Sequence, residues 1–379
     1  MEDVLNWNRA ATSADPFPGV EEAMVEGLHA LPASRGATGQ TTAERIFAIR
    51  ERAARMFGFS HPERVVFTSG ATFGLNQAVH GGIEDGAHVL TTAYEHNAVT
   101  RPLRAAEARG VSSEVVPFDR AGRLRLDLLA EKLAEGRTQW LAIGMAANTY
   151  GVVQPFEEAC ALAREHGVRV LLDMAQGGGQ VPVSLDDLGV SYAAVAGHKS
   201  LHGPRGVGLL FVGPDERPRP LVQGGTGTEG TLVEMPEDLP GRLEAGTKNF
   251  PGVFGLGAAL EWLEAHPPEL DSMRANMKSL ESWCREHPAL EVLPPEPVAW
   301  EQRLAVLALK PVGIAPAVLV DYLAQAGVGV RSGSMCTARV LPAFDATEGL
   351  IRLSPPLEAD ASEYARVREA LEEALTALS

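Results

Sequence analysis

The chain has 379 residues, 45% of them hydrophobic and 22% charged, with 33 basic against 49 acidic side chains and a formal net charge of −16. That balance excludes a disordered chain. It also argues against nucleic acid or an anionic membrane as a partner, since either needs a basic face.

The length allows two structural domains. No apolar stretch reaches the length of a membrane span, and the opening MEDVLNWNRAATS has no apolar segment of signal-peptide type, so a cytoplasmic location is expected. Cys160, Cys284 and Cys336 are an odd count without metal-site spacing. Neither a disulfide framework nor a bound metal is expected.

In chain order, TAERIFAIRERAARMFG has the apolar spacing of a helix, and RVVFTSGAT is a short β-rich run ending in small residues. AHVLTTAYEHNAV, QWLAIGMAANTYG, VRVLLDMAQGG and GVGLLFVG are further apolar runs, with helical segments such as PFEEACALAREHG between several of them. Apolar strands alternating with helices predict an α/β layer with a largely parallel sheet. After LPGRLEAGTKNFPG the helical stretches lengthen, then come RLAVLALK, a Gly-rich loop, LIRLSPP and a charged C-terminal helix. This tail predicts a smaller α+β domain, with the boundary near residue 255.

In such sheets ligands bind at the carboxyl ends of the strands, and the unusual polar residues cluster there. TSGATFG is a small-residue turn into a helix, whose free N–H groups and the Thr72 hydroxyl suit a phosphate or simply cap the helix. Asp173 ends the apolar run VLLDMAQ, where an acid needs a partner. Asn148 in ANTYG serves a turn or a ligand oxygen. His198 and Lys199 sit between AVAG and a glycine-rich run, where a lysine is either a surface turn residue or an amine held in an apolar site to attack a carbonyl.

Asp173 and Lys199 fall on successive predicted strands. Together they suit pyridoxal phosphate, with the lysine holding the aldehyde, the acid keeping the pyridine nitrogen protonated and a helix end gripping the phosphate. His96 in YEHNA, at another strand end, is placed either to stack on a planar ring or to act as a structural histidine. GTGTEG, residues 225–230, matches a dinucleotide pattern but is followed by TLVEMPEDLPG, which lacks the helix that reading requires.

SGATFGLN, EHNAV, NTYGVVQP, DMAQGGGQVP, GHKSLHGPRGVG, QGGTGTEG, EAGTKN and RSGSMCTA resemble, in the same order, the cysteine desulfurases of the class V aminotransferase group. The resemblance spans nearly the whole chain. It implies the fold type I architecture of pyridoxal-phosphate-dependent transferases: a large domain with a mostly parallel seven-stranded sheet and a smaller α+β C-terminal domain. The implied division is 17–255 for the large, cofactor-binding domain, and 1–16 with 256–379 for the small one.

An obligate homodimer with active sites at the interface is also implied. Pyridoxal phosphate would be attached to Lys199, with His96 stacked on the ring, Asp173 at its nitrogen and Gln176 near its phenolic oxygen. Ala71, Thr72 and His198 would lie near the phosphate, and Thr247 would reach it from the partner subunit.

Cys160 and Cys284 fall on helical segments and suit packing as small hydrophobes. Cys336 follows GVGVRSGSM, which the sequence predicts to be a flexible polar loop with a reachable thiol. By the resemblance this thiol takes the sulfur of bound L-cysteine as a persulfide, leaving alanine. Arg352 would hold the substrate carboxylate through its fork of donors, with Asn148 assisting and Arg331 as a further candidate. The short spacing from Cys336 to Arg352 resembles the short-loop branch, whose loop is comparatively ordered and which often depends on a sulfur-acceptor protein.

The chain departs from the family pattern in four places. Ala196 stands where Ser or Thr is usual, Asn8–Arg9 where Asp–Asn is common, and Met335 where many short-loop members have His; SRGATG lacks a histidine often found there. Other readings on the same scaffold are a C–S lyase acting on cysteine conjugates, a selenocysteine lyase, and an aminotransferase or epimerase. A non-catalytic sulfur-relay protein is the reading from another class.

Overall fold

The apolar runs become strands because each is bounded by small or turn-forming residues and both of its faces find cover. In the computed structural model, which describes residues 4–31, 37–227, 231 and 233–378, β1 (Leu5–Asn6) precedes α1 (Val20–His29) and α2 (Ala37–Met56). Then come β2 (Val65–Thr68), α3 (Ala71–Gln77), β3 (His88–Thr92), α4 (Asn97–Ala106) and β4 (Ser112–Val116). They are followed by α5 (Leu126–Ala134), β5 (Trp140–Gly144), α6 (Phe156–Glu165), β6 (Arg169–Asp173), α7 (Leu185–Leu188), β7 (Tyr192–Ala196) and β8 (Gly208–Val212).

These form a seven-stranded sheet in the order β2-β8-β7-β6-β5-β3-β4. All neighbouring pairs are parallel except those of β8, which runs antiparallel to both β2 and β7. The sheet is therefore mostly parallel, as expected. β3, β5, β7 and β8 are buried along their whole length, because helices cover both faces. Alternate residues of β5 show the two faces: Leu141 and Ile143 join one apolar cluster, Trp140 and Ala142 the other.

Beyond the sheet the chain continues with α8 (Phe250–Ala265), α9 (Asp271–Glu286), β9 (Leu290–Leu293), β10 (Leu307–Pro311) and α10 (Pro316–Gln325). It ends with β11 (Val328–Gly329), β12 (Arg331–Gly333), α11 (Val340–Ala343), β13 (Leu350–Leu353) and α12 (Ala361–Leu378). A second, antiparallel sheet has the order β12-β13-β10-β9. Its own core includes Trp7, Leu307, Leu309, Ile351 and Leu371. The long helix α8 packs back on α1 and α2.

The N-terminal segment ties the two sheets together. β1 pairs in parallel with β11, and Asn8 bridges to Ser354 beside the second sheet. A few residues later the Ser13 N–H donates to the His198 carbonyl, 2.8 Å away, at the end of the first sheet. Of the glycine-rich GTGTEG stretch, residues 225–227 are irregular and 228–230 lie outside the described residues.

Candidate active site

The carboxyl ends of β2, β3, β6 and β7 open into one cavity of about 500 Å³, lined by Gly70, Ala71, Thr72, His96, Asp173, His198 and Lys199 among others. A smaller hollow of about 20 Å³ shares His96, Asp173 and Lys199 and adds Glu95, Asn148 and Gln176. Residues scattered from 70 to 199 in the chain thus converge where a parallel sheet places its ligand.

Lys199 lies three residues beyond β7, and its pKa is lowered, first by desolvation and then by Arg352, while Asp173 and Cys336 oppose the shift. A desolvated lysine gives up its proton more readily and becomes a nucleophile. Asp173 is the last residue of β6 and only 7% exposed. Its Oδ1 accepts from the Ala175 N–H at 2.8 Å. Burial raises its pKa, and the Ala175 N–H and Lys199 pull the other way. A buried carboxylate of this kind is stabilised by a cationic partner entering the cavity.

His96 caps α4. Its Nδ1 accepts from the Ala98 N–H at 3.0 Å, which fixes the neutral tautomer with the proton on Nε2. Its pKa is brought down to about 4, by burial first and then by Lys199, Arg101, Arg352 and Arg331. The next free N–H of the same helix end, Asn97, donates to the Cys336 carbonyl at 2.9 Å.

At the opposite end of the cavity, Gly70 precedes α3 with φ of 143°, a conformation restricted to glycine. It starts α3, whose first residues, Ala71 and Thr72, line the cavity. His198 Nδ1 lies 3.0 Å from Thr12 Oγ1. Gln176 donates to the Ala10 carbonyl at 2.8 Å.

Arg352 is only 2% exposed. It donates to the Asn148 carbonyl at 2.9 Å and to Asn8 Oδ1 at 3.1 Å, and its Nε has no partner. Its register partner across the strand pair is Arg331. Burial and that neighbour lower its pKa to about 10. Among the described residues neither buried Arg352 nor half-buried Arg331 has a carboxylate partner, so an anion is the ligand the pair favours.

The loop carrying Cys336 is held more firmly than its Gly and Ser content predicts. Asn148 donates its amide to the Met335 carbonyl at 2.8 Å, and Thr149 and Thr337 share a 2.8 Å hydroxyl contact. Met335 is buried, and both it and Cys336 have positive φ, 51° and 59°. Such backbone in non-glycine residues persists only where surroundings hold it. Asn148, read from the sequence as a ligand contact, thus spends its amide on this loop.

Thr247 is not brought to the Lys199 cavity; it lines a separate hollow with Phe67, Ser69 and Gly206. Cys160 and Cys284 are buried, with thiols pushed up to about 12 by desolvation, and are inert packing groups. Glu95, Thr12 and Asn97 were not picked out in the sequence; Glu95 sits in the quoted motif YEHNA, and an acid beside a histidine at a strand end was the available signal.

The donor set fits pyridoxal phosphate: a desolvated amine, a buried carboxylate, a neutral imidazole on one wall and a glycine-started helix on another. The aminotransferase class-V family model matches residues 7–366, and the chain belongs to that family, whose members generally use pyridoxal phosphate. Among its relatives, a probable cysteine desulfurase of Aeropyrum pernix is 34% identical, the match covering 86% of this chain and 82% of the relative. The cysteine desulfurase CsdA of Escherichia coli is 29% identical, over 91% of this chain and 87% of that one. Of solved structures, the apo cysteine desulfurase of Thermococcus onnurineus superposes with a TM-score of 0.89 at 25% identity, covering 99% of this chain and 95% of the other. The E. coli CsdA structure gives 0.86 at 25% identity, with 100% and 96% covered.

Proposed function

We propose that the protein is a pyridoxal-phosphate-dependent cysteine desulfurase that converts L-cysteine to L-alanine and takes the sulfur on Cys336. The observation that carries this reading is the tie between the Cys336 loop and the Lys199 site: Asn148, which lines one hollow with Lys199, donates to the Met335 carbonyl and accepts from Arg352, while the Asn97 N–H holds the Cys336 carbonyl. When bound, the cofactor supplies an aldehyde for the substrate amine and a protonated ring that accepts electrons from the substrate.

Lys199 would hold that aldehyde and then move the proton at the substrate Cα, its low proton affinity suiting both tasks. Asp173 would keep the proton on the ring nitrogen. Neutral His96 would cover the ring, and Ala71, Thr72 and His198 would face the phosphate, with Gln176 at the phenolic oxygen. Arg352 would clamp the substrate carboxylate, with Arg331 beside it; Asn148 shapes the loop opposite. Cys336 Sγ would attack the substrate sulfur: an S–S bond forms as the Cβ–S bond breaks, and Cβ takes a proton to give alanine.

Several finer points belong to the same proposal. The chain would act as a homodimer in the cytoplasm, with Thr247 completing the partner's phosphate site and an acceptor protein removing the sulfur. Residues 17–255 would form the cofactor-binding domain, and 1–16 with 256–379 the small one. The pairing of β1 with β11 supports grouping the N-terminus with the tail.

Cys336→Ala tests the reading. We expect the purified variant to keep the yellow colour of bound cofactor while alanine formation from L-cysteine falls by orders of magnitude. Unchanged turnover, with pyruvate and ammonia as products and no persulfide trapped on wild-type Cys336, would replace it with an eliminating C–S lyase.

A further inference from the structure

The seven-stranded sheet splays at the active site, and Glu95 fills the gap. The β3–β5 ladder ends at Thr91–Ala142, because β3 then turns toward His96. That leaves Gly144 without a strand partner on the β3 side. The Gly144 N–H donates to Glu95 Oε1 at 2.9 Å, and its carbonyl accepts from the Tyr94 hydroxyl at 3.2 Å. The Thr92 hydroxyl also donates to Glu95 Oε1, at 2.6 Å. Gly144 is in turn the register partner of Asp173. Glu95 therefore sets the strand end against which the ring-facing acid is aligned.

Glu95 is 3% exposed and makes no ion pair among the described residues. Both of its bonded donors converge on Oε1, so Oε2 is the oxygen left to carry a proton. The hollow it lines also holds Asp173. Two ionised carboxylates in one desolvated space repel, so one of them stays neutral. Lys199 lines the same hollow, and it favours the charge of Asp173. Around Glu95 stand Asp173, His96, Lys199, Tyr94, Tyr150 and Arg339, and only Arg339 is recorded as favouring its ionised form by charge.

We propose that Glu95 keeps its proton in the working protein, so that the cavity holds one carboxylate, Asp173, and that the neutral carboxyl positions β5 beside it. Burial and Asp173 push the Glu95 carboxyl up to about 8, against the hydrogen bonds to Thr92 and Gly144. The inference rests on the reading of this cavity as the cofactor's, but its first measurement needs no cofactor.

That measurement is the thermal midpoint of the full chain and of Glu95→Gln, from pH 5 to pH 8, with and without added pyridoxal phosphate. Glutamine keeps the acceptor oxygen and carries no titratable proton. The unfolded chain releases the Glu95 proton near its ordinary value of 4.5 while the folded chain holds it to about 8, so wild-type stability falls as pH rises through that window. We expect the midpoint of Glu95→Gln to rise steadily relative to wild type over that range. A pH-independent difference overturns the proposal, whether or not the cavity binds the cofactor.

The second measurement is the affinity for pyridoxal phosphate at pH 7. Glu95→Ala leaves the Gly144 N–H unpaired and should bind about tenfold more weakly, whereas Glu95→Gln should rescue most of that loss. Equal losses in the two variants would refute the positioning role. If Glu95→Ala fails to fold, the melting comparison of Glu95→Gln still decides.

Discussion

Arg50→Met tests how the segment bearing Thr247 is held. Arg50 on α2 and Glu244 have side chains only 3% exposed and meet at 2.7 Å. Arg50 also donates to the Val65 carbonyl, and its guanidinium lies 4.3 Å from the Phe67 ring centroid. Glu244 accepts from the Phe67 N–H at 2.8 Å, and Lys248 approaches it at 3.4 Å. Methionine keeps the apolar stem and removes the cation, leaving a buried carboxylate with only the partly exposed Lys248 opposite. Breaking such a pair costs about 3–5 kcal/mol. At about 2 °C per kcal/mol for a large domain, the thermal midpoint should fall by roughly 6–10 °C.

The diagnostic is the double variant Arg50→Met with Glu244→Gln, which removes the stranded charge but keeps an acceptor for the Phe67 N–H. Calorimetry should find it more stable than Arg50→Met alone. A double variant as unstable as the single one would refute the argument that the unpaired charge carries the cost. The single variant should also retain less cofactor, because residues 244–248 lose their anchor beside β2.

Two further outcomes are expected. Gly70→Ala forces a side chain into φ of 143° and should cost about 1–3 kcal/mol, with weaker pyridoxal phosphate binding measured by fluorescence titration; wild-type affinity would show that α3 does not face the phosphate. The His96 pKa is brought down from 6.5 to about 4, so its stabilising effect is complete above pH 6.5 and is lost as pH falls toward 4. The loss is at most about 3 kcal/mol, and His96→Gln should flatten that acid limb in melts between pH 7 and 4; an unchanged limb would show that other groups produce it.

Much of this architecture was legible in the chain. The apolar runs ending in SGAT, NTYG, DMAQ and GHKS marked strand ends, because burying both faces of a parallel sheet demands continuous hydrophobicity and leaves polar residues only where the strands stop. The antiparallel direction of β8 was not legible, since GLLFV reads the same in either orientation. Nor was the pairing of Leu5–Asn6 with Val328–Gly329, which joins residues from opposite ends of the chain. The order of the Cys336 loop was legible from the resemblance but not from its glycine and serine, because it comes from Asn97 and Asn148, far away in sequence. Glu95 was passed over because burial, unlike charge, cannot be read from one motif.

The start of α4 has a mechanical consequence. Its first two free N–H groups are taken by different parts of the site: Asn97 holds the carbonyl of Cys336, and Ala98 holds the ring of His96. One helical turn is thus a common latch for the cover of the cavity and the perch of the thiol. Fraying that turn loosens both at once, so in the proposed reaction an outward movement of the Cys336 thiol would tug at the imidazole's support. Any change that weakens the latch should therefore alter the colour of the bound cofactor and the traffic of sulfur together.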